Sequence, residues 1–228
     1  MTSTSAGAAR HAISCRGITK TYRSDASNVP ALVDVNFDSG GGITALFGPS
    51  GSGKSTLLRI LAGMEHPDQG QIHLGPTRIG GLSRRGFRRL QRFDLALVFQ
   101  QPSHNLLDYL TARQHLELAA QFRQRGDDQI DDLLERTGLS PRAANRPTQL
   151  SGGEQQRLAF AAAVIGNPRW VLADEPTAEL DATSAALVLE VVSGLAETWH
   201  TTFVLASHDP AVRTIASSVV TLHHGRVA

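Results

Sequence analysis

Residues 48–56, reading Gly48, Pro49, Ser50, Gly51, Ser52, Gly53, Lys54, Ser55 and Thr56, have the types and spacing to hold phosphate. Gly48 and Gly53 stand five apart and are followed by Lys and Ser, a recognised phosphate-loop pattern. Glycines let successive backbone N–H groups turn inward on an anion, and a helix opening at Lys54 adds about half a positive charge at its N-terminus. In that arrangement Lys54 reaches the terminal phosphates and the Ser55 hydroxyl holds Mg²⁺. Lys20 and Lys54 are the only lysines against 20 arginines, so a compact ammonium is what position 54 requires. The competing reading is a plain glycine-rich turn capping a helix. It is disfavoured because residues 43–47 read as a buried strand, and Leu57, Leu58, Ile60 and Leu61 as the apolar side of a helix.

Three further clusters suit the same chemistry. Leu150, Ser151, Gly152, Gly153 and Glu154 precede a helix running to about residue 165. Ser151 with Glu154 three residues on is a capping box, which accounts for those two residues. It leaves the adjacent glycines, which let a phosphate approach the backbone closely. The apolar run from Trp170 to Ala173 ends at Asp174 and Glu175. An acidic pair at a strand end is commonly a helix cap or a surface pair, but beside a phosphate loop Asp174 reads as the Mg²⁺ partner. Strand alternation then turns Glu175 away from Asp174, where it can address a water. The strand at 202–206 ends at Ser207, His208 and Asp209, where the plainest reading of His208 is a helix cap.

The elements that must position these groups are legible as periodic runs. Four apolar strands at 43–47, 95–99, 170–173 and 202–206 run directly into Gly48, Gln100, Asp174 and His208. In an open parallel α/β sheet ligands bind at the carboxyl ends of strands, so one nucleotide site gathers all four. Ahead of the phosphate loop, Ile13 with Cys15 and then Leu32, Val33, Val35 and Phe37 suggest an antiparallel flap. The turn-rich stretch 24–30 separates the two. Tyr22 stands just before that stretch, either stacking on a purine ring or serving as an ordinary strand aromatic. From 101 to about 149, helix formers and charges take over, with Leu116, Leu118 and Phe122, then Ile130, Leu133 and Leu134 at helical spacing. This is a helical insertion too long for a simple crossover. Arg84, Arg88 and Arg92 form one stripe of a helix at 83–93, joined by Arg85 and Arg89. Nucleic acid or lipid headgroups are conceivable ligands there; a solvated face is the blander reading, favoured by the absence of interleaved aromatics. Neighbouring His223 and His224 read as incidental rather than as a metal site.

Composition narrows the class. A chain of 228 residues builds one full core, and a net charge of +1 gives no whole-molecule reason to expect nucleic acid. The single cysteine, Cys15, rules out an internal disulfide framework and suits a reducing compartment. The Ser-, Ala- and Gly-rich start is expected to fray, and no apolar run approaches the roughly 20 residues needed to cross a bilayer. A chain soluble by itself, meeting a membrane only through a partner, is the expectation.

Together these residues resemble the nucleotide-binding subunit of ATP-binding cassette (ABC) transporters, from about residue 12 onward. The signature at Leu150–Glu154, paired with the phosphate loop and with Val171–Thr177, carries the resemblance. It implies an α/β phosphate-loop NTPase fold with a parallel sheet, an N-terminal antiparallel β subdomain and an inserted helical subdomain. One domain would span 12–228, with 12–100 and 162–228 as the core, 101–161 as the helical part carrying the signature, and 1–11 as a flexible N-terminus. Tyr22 would then be the adenine-stacking aromatic, Gln100 a sensor glutamine touching Mg²⁺ and water, Ala178 to Asp181 the loop after the acidic pair, and His208 the switch histidine. Asn145 to Glu154 with Ala173 to Thr177 look most like the subgroup serving lipoprotein release, macrolide-type export and cell division. Ala178 and Asp108 depart from the usual residues there without removing a catalytic group. The resemblance further implies ATP and Mg²⁺, two copies, most simply a homodimer, closing over two ATP, and Ser151, Gly152 and Gly153 of one capping the γ-phosphate held by Lys54 of the other. Glu175 would orient and deprotonate the attacking water. An integral membrane permease would dock beside Gln100, placing the chain at the cytoplasmic face of the membrane without stable nucleic acid. A regulatory ATPase moving a non-transporting permease and a soluble ATPase acting on nucleic acid are the alternatives.

Overall fold

The computed structural model describes residues 11–23 and 28–228. The frayed start expected at 1–11 falls, but for His11, outside the described residues, as does the 24–27 part of the turn-rich stretch. Two strands open the fold, β1 (Ile13–Arg23) and β2 (Asn28–Ser39), followed by β3 (Ile43–Phe47) and α1 (Lys54–Leu61). Next come β4 (Gln69–Leu74), β5 (Thr77–Arg78), α2 (Arg84–Phe93) and β6 (Leu95–Val98). Helices α3 (Ala112–Arg123), α4 (Ile130–Arg136) and α5 (Gly152–Val164) precede β7 (Trp170–Asp174). The chain closes with α6 (Ala182–Trp199), β8 (Thr202–Ser207), α7 (Pro210–Ile215), β9 (Ser218–His223) and β10 (Arg226–Val227).

The strands make two sheets. One is antiparallel, in the order β2-β1-β4-β5; the other has the order β10-β9-β3-β8-β7-β6, with β9 to β6 all parallel. Alternate residues of the central strands enter opposite cores. Val171, Ala173, Phe203 and Leu205 face the helices α5 and α6, while Trp170, Leu172, Val204 and Ala206 face α1 and the antiparallel sheet. A strand buried on both faces has no polar side to present, which is why these segments are continuous apolar runs.

The antiparallel flap is real, but its strands are longer than the short pieces the sequence shows. Register shifts between Cys15 and Ile18, Ile18 and Lys20, and Lys20 and Thr21 interrupt the alternation by which strands are recognised. Residues 28–30, expected in the turn, pair instead with Tyr22, Arg23 and Thr21.

The helical segment departs from expectation at three side chains. Leu116 is fully buried, but Leu118 and Phe122, assigned to the same apolar face, are 45% and 60% exposed. Arg123 is the residue that turns inward. Its guanidinium, 7% exposed, donates to the carbonyls of Arg92 and Ala163, both at 3.2 Å, and burial pulls its pKa down to about 10. Arg92 in turn donates to the Phe122 carbonyl at 2.6 Å, so the end of the arginine-rich stripe is a staple between α2 and α3 rather than a solvated face. Satisfying helix-end carbonyls with arginine ties α3 to α2 and α5.

Candidate functional site

The phosphate loop is held open by groups distant in sequence. A Cβ at Gly48 would lie 2.2 Å from the Leu222 carbonyl oxygen, so only glycine fits where the loop crosses β9. Gly53 takes φ 103°, and a Cβ there would meet the Ala31 carbonyl at 2.5 Å. The Gly225 N–H donates to the Ser52 carbonyl at 3.0 Å, pinning the loop to the β9–β10 turn. Gly51 at φ 76° faces open space, and Ser50 at the crest is exposed. The Ser52 Oγ is buried without a hydrogen-bond partner among the described residues. A buried hydroxyl without a partner in a glycine-rich loop at a helix start fits a phosphate oxygen as its hydrogen-bond partner.

Lys54, 4% exposed, lies under this loop. Its Nζ donates to the carbonyls of Gly48 at 2.8 Å and Pro49 at 3.1 Å, and pairs with Glu175 Oε1 at 3.3 Å. Ser55 Oγ donates to Asp174 Oδ1 at 3.0 Å. Burial lifts the Asp174 carboxyl above the usual carboxylate range, and the Ser55 hydroxyl only partly offsets it. Thr56 follows in the first turn of α1 and is half-buried.

Glu175 corrects the expectation from strand alternation. Strand β7 ends at Asp174, and Glu175 takes φ 44°, so a period-2 argument no longer governs its direction. The turn carries its carboxylate into the same site. Oε2 accepts from Ser207 Oγ at 3.2 Å and lies 3.0 Å from His208 Nδ1, while Oε1 faces Lys54. His208 is exposed and caps nothing; Asp209 is the cap of α7, accepting from the Ala211 N–H. Ser207 is the partner that sequence reasoning passed over. It ends β8 at the same sheet edge, so the strand-end logic that found His208 also reaches it.

Gln100 and Asp174 line one cleft of about 340 Å³ together with Met64 and Phe99. Tyr22, 39% exposed on β1, donates its hydroxyl to Glu65 Oε2 at 2.6 Å in the turn after α1. Among the described residues it has no hydrogen bond to the phosphate loop.

The second glycine cluster stands elsewhere. Ser151 caps α5: its N–H donates to Glu154 Oε2 at 2.8 Å and its Oγ accepts from the Glu154 N–H at 3.3 Å. The Ser151 N–H holds the Glu154 carboxyl below the usual range. Asp181 caps α6 and accepts from Ser184 Oγ at 2.6 Å, which holds its carboxyl down as well. A Cβ on Gly152 would come within 3.3 Å of Leu180, and one on Gly153 within 3.1 Å of Ser184. Close packing of two helix starts is thus a local reason for both glycines, one that the spacing does not show. No hydrogen bond or ion pair among the described residues joins Ser151–Glu154 to Gly48–Thr56.

The structure therefore brings Ser52, Lys54, Ser55, Asp174, Glu175 and His208 together at the carboxyl ends of adjacent parallel strands. It leaves Ser151, Gly152, Gly153 and Asp181 as a separate surface. Among the described residues no helix is long and apolar enough to cross a membrane, and no group of three or more His, Cys, Asp or Glu forms a metal cluster.

Comparison with known proteins is consistent across sequence and structure. Residues 32–178 match the family model described as ABC transporter. The chain is 37% identical over 212 residues to the lipoprotein-releasing system ATP-binding protein LolD of Legionella pneumophila, covering 90% of this chain and 92% of that protein. It is also 37% identical over 220 residues to the macrolide export ATP-binding/permease protein MacB 1/2 of Paracoccus denitrificans, covering 94% of this chain and 32% of that longer protein. Its structure is similar to a dimeric, post-hydrolysis state of the ATP-binding cassette MJ0796 of Methanocaldococcus jannaschii bound to ADP and Pi. The TM-score is 0.82 at 32% identity, covering 94% of this chain and 96% of that one.

Proposed function

This chain belongs to the ABC transporter family as an ATP-binding cassette ATPase, and we propose that it is the motor subunit of a transporter of the lipoprotein-release or macrolide-export type. In that reading two copies close over two ATP and drive a separate membrane permease. The observation that carries it is the division of the phosphate machinery into two surfaces: Lys54 and its partners on one, the Ser151–Gly153 turn on the other. One copy holds half of each site, and the dimeric relative supports the second half coming from a neighbour.

The residues present fit ATP with Mg²⁺. Magnesium keeps several waters and takes one or two protein oxygens plus phosphate, which suits the Ser55 and Asp174 pair and needs no acidic cluster. Gln100 opens onto the same cleft. When bound, the ion neutralises charge on the transferring phosphoryl group. Lys54 exchanges its carbonyl partners for phosphate oxygens, Glu175 accepts a proton from the attacking water, and His208 contacts the γ-phosphate. Ser151, Gly152 and Gly153 of the second copy complete the enclosure, with Tyr22 beside the base. Phosphoryl transfer depends chiefly on positioning and charge stabilisation, so closure of the two copies is the trigger. The helical segment, 101–161 in this division, and the exposed Phe99, Leu107 and Phe122 near Gln100 form the face we assign to the permease, with the chain on the cytoplasmic side. The same docking serves a permease that transports nothing.

If two copies build each site, ATPase activity per chain rises with protein concentration, and light scattering shows an ATP-dependent doubling of mass. Activity that is constant upon dilution of a chain that stays monomeric with ATP overturns the proposal.

Asp174 gives a test with a pH sign. Its folded pKa is raised, so ionising it opposes folding, and that stability is lost as pH rises from the ordinary carboxylate range through the raised value. Asp174→Asn has no charge to bury. The nucleotide-free variant is expected to melt above the parent at neutral pH in a thermal scan, while stabilisation by MgATP disappears. A lower melting temperature with MgATP stabilisation intact refutes the assignment.

A further inference from the structure

The arginine-rich stretch belongs to neither half of the nucleotide site. Between Asp68 and Asp94 lie 25 residues containing six arginines and no acid, in a chain whose net charge is +1. Arg92 is used in the α2–α3 staple. The other five, Arg78, Arg84, Arg85, Arg88 and Arg89, are exposed and make no side-chain hydrogen bond or ion pair among the described residues. These exposed guanidinium groups are solvated and screened from one another, and none is committed to a carboxylate. They are free to take an external anion.

Beneath three of them is a cavity of about 410 Å³, enclosed by α2, the end of α1 and the β4–β5 hairpin. Arg78, Arg84 and Arg88 line it along with apolar Ile72, Ile79 and Leu82; the one carboxylate in the lining, Glu65, is paired with Arg59 and the Tyr22 hydroxyl. Its volume is in the range of small-ligand sites. A cationic rim over an apolar hollow matches a molecule that is anionic at one end and hydrocarbon at the other. Guanidinium forks suit phosphate, binding two oxygens at once, and their weak hydration lowers the cost of contact. Nucleic acid fits less well: the cavity's aromatic ring, Phe87, is packed so tightly under Gly63 that an added Cβ would be 1.8 Å from it, leaving no face for a base. The turn 63–65 joins this cavity to the cleft of Gln100 and Asp174, since Gly63 and Glu65 line one and Met64 the other.

We propose that this face binds an anionic phospholipid of the membrane surface, with the headgroup phosphate on Arg78, Arg84 and Arg88 and the start of an acyl chain in the cavity. The cassette then meets the bilayer directly, beside the contact made through a permease. Binding does not depend on the ATPase assignment and is measured without nucleotide.

The test is co-sedimentation of the purified chain with equimolar phosphatidylcholine and phosphatidylglycerol vesicles, against phosphatidylcholine alone. The chain is expected to partition onto the mixed vesicles and not onto neutral ones. Each basic residue near an anionic surface contributes about fivefold, so Arg78→Gln, Arg84→Gln and Arg88→Gln together are expected to lower partition on the order of a hundredfold. ATPase activity and melting temperature of that variant should stay at parental values. Leu82→Asn, with every charge kept, is expected to lower partition several-fold, which a purely electrostatic attraction would not do. Equal partition onto neutral vesicles, an unaffected triple variant, or an unaffected Leu82→Asn overturns the proposal. Release of the vesicle-bound chain by millimolar inorganic phosphate would show a phosphate site without a lipid component. Preferential binding of duplex DNA through the same arginines would show a nucleic-acid face.

Discussion

Replacing Glu175 with glutamine is expected to lower ATP hydrolysis by at least about a hundredfold, the low end of what a positioned general base contributes. Nucleotide binding should remain. Glutamine has the size of glutamate and can keep the bond from Ser207 Oγ, now 3.2 Å, and a contact with His208 Nδ1, now 3.0 Å. It cannot take a proton from water. The variant should therefore accumulate as an ATP-bound dimer, seen as doubled mass in light scattering. A second consequence follows from the ion pair at 3.3 Å between Glu175 and Lys54, both largely buried. Removing one member leaves the other charge uncompensated, so without nucleotide the variant should melt below the parent. With ATP present, phosphate supplies the missing anion and the order should reverse. Parental turnover in Glu175→Gln would remove the assigned role.

Lys54→Ala is expected to reduce ATP affinity by at least about a hundredfold by calorimetry, since charge-assisted hydrogen bonds contribute about 1.5–3 kcal/mol each. The loss has two sources in this structure. The ammonium supplies charge at the site, and it also holds the loop by donating to Gly48 and Pro49. Lys54→Arg should not restore binding. The side chain is 4% exposed between two carbonyls and a carboxylate, a slot shaped for a point charge rather than a planar fork. Unchanged nucleotide affinity in Lys54→Ala would show that the loop binds through backbone N–H groups alone, and full affinity in Lys54→Arg that the slot admits a guanidinium.

Much of the fold and much of the site were legible in the residues by themselves. The central strands could be read because both their faces are buried, which forces unbroken apolar runs such as Val171, Leu172 and Ala173. The ends of those runs located Gly48, Asp174 and His208, because the unbroken apolar run stops where the strand leaves the core. The phosphate loop and the Ser151 capping box are local patterns, and local patterns survive folding unchanged.

What tertiary structure alone decided is what depends on a partner far along the chain. Glu175 meets Lys54, Ser207 and His208 because the positive φ at 175 takes it out of the strand alternation on which a sequence reading relies. Arg123 is buried while Leu118 and Phe122 are exposed, because the carbonyls of Arg92 and Ala163 are brought within 3.2 Å of its guanidinium. The glycines at 152 and 153 face Leu180 and Ser184, some 30 residues away in sequence. Arg78, Arg84 and Arg88 come to share one cavity rim only when the hairpin and α2 pack together. Residue type sets what each group can do; which groups meet is set by long-range packing, which one chain's periodicity does not encode.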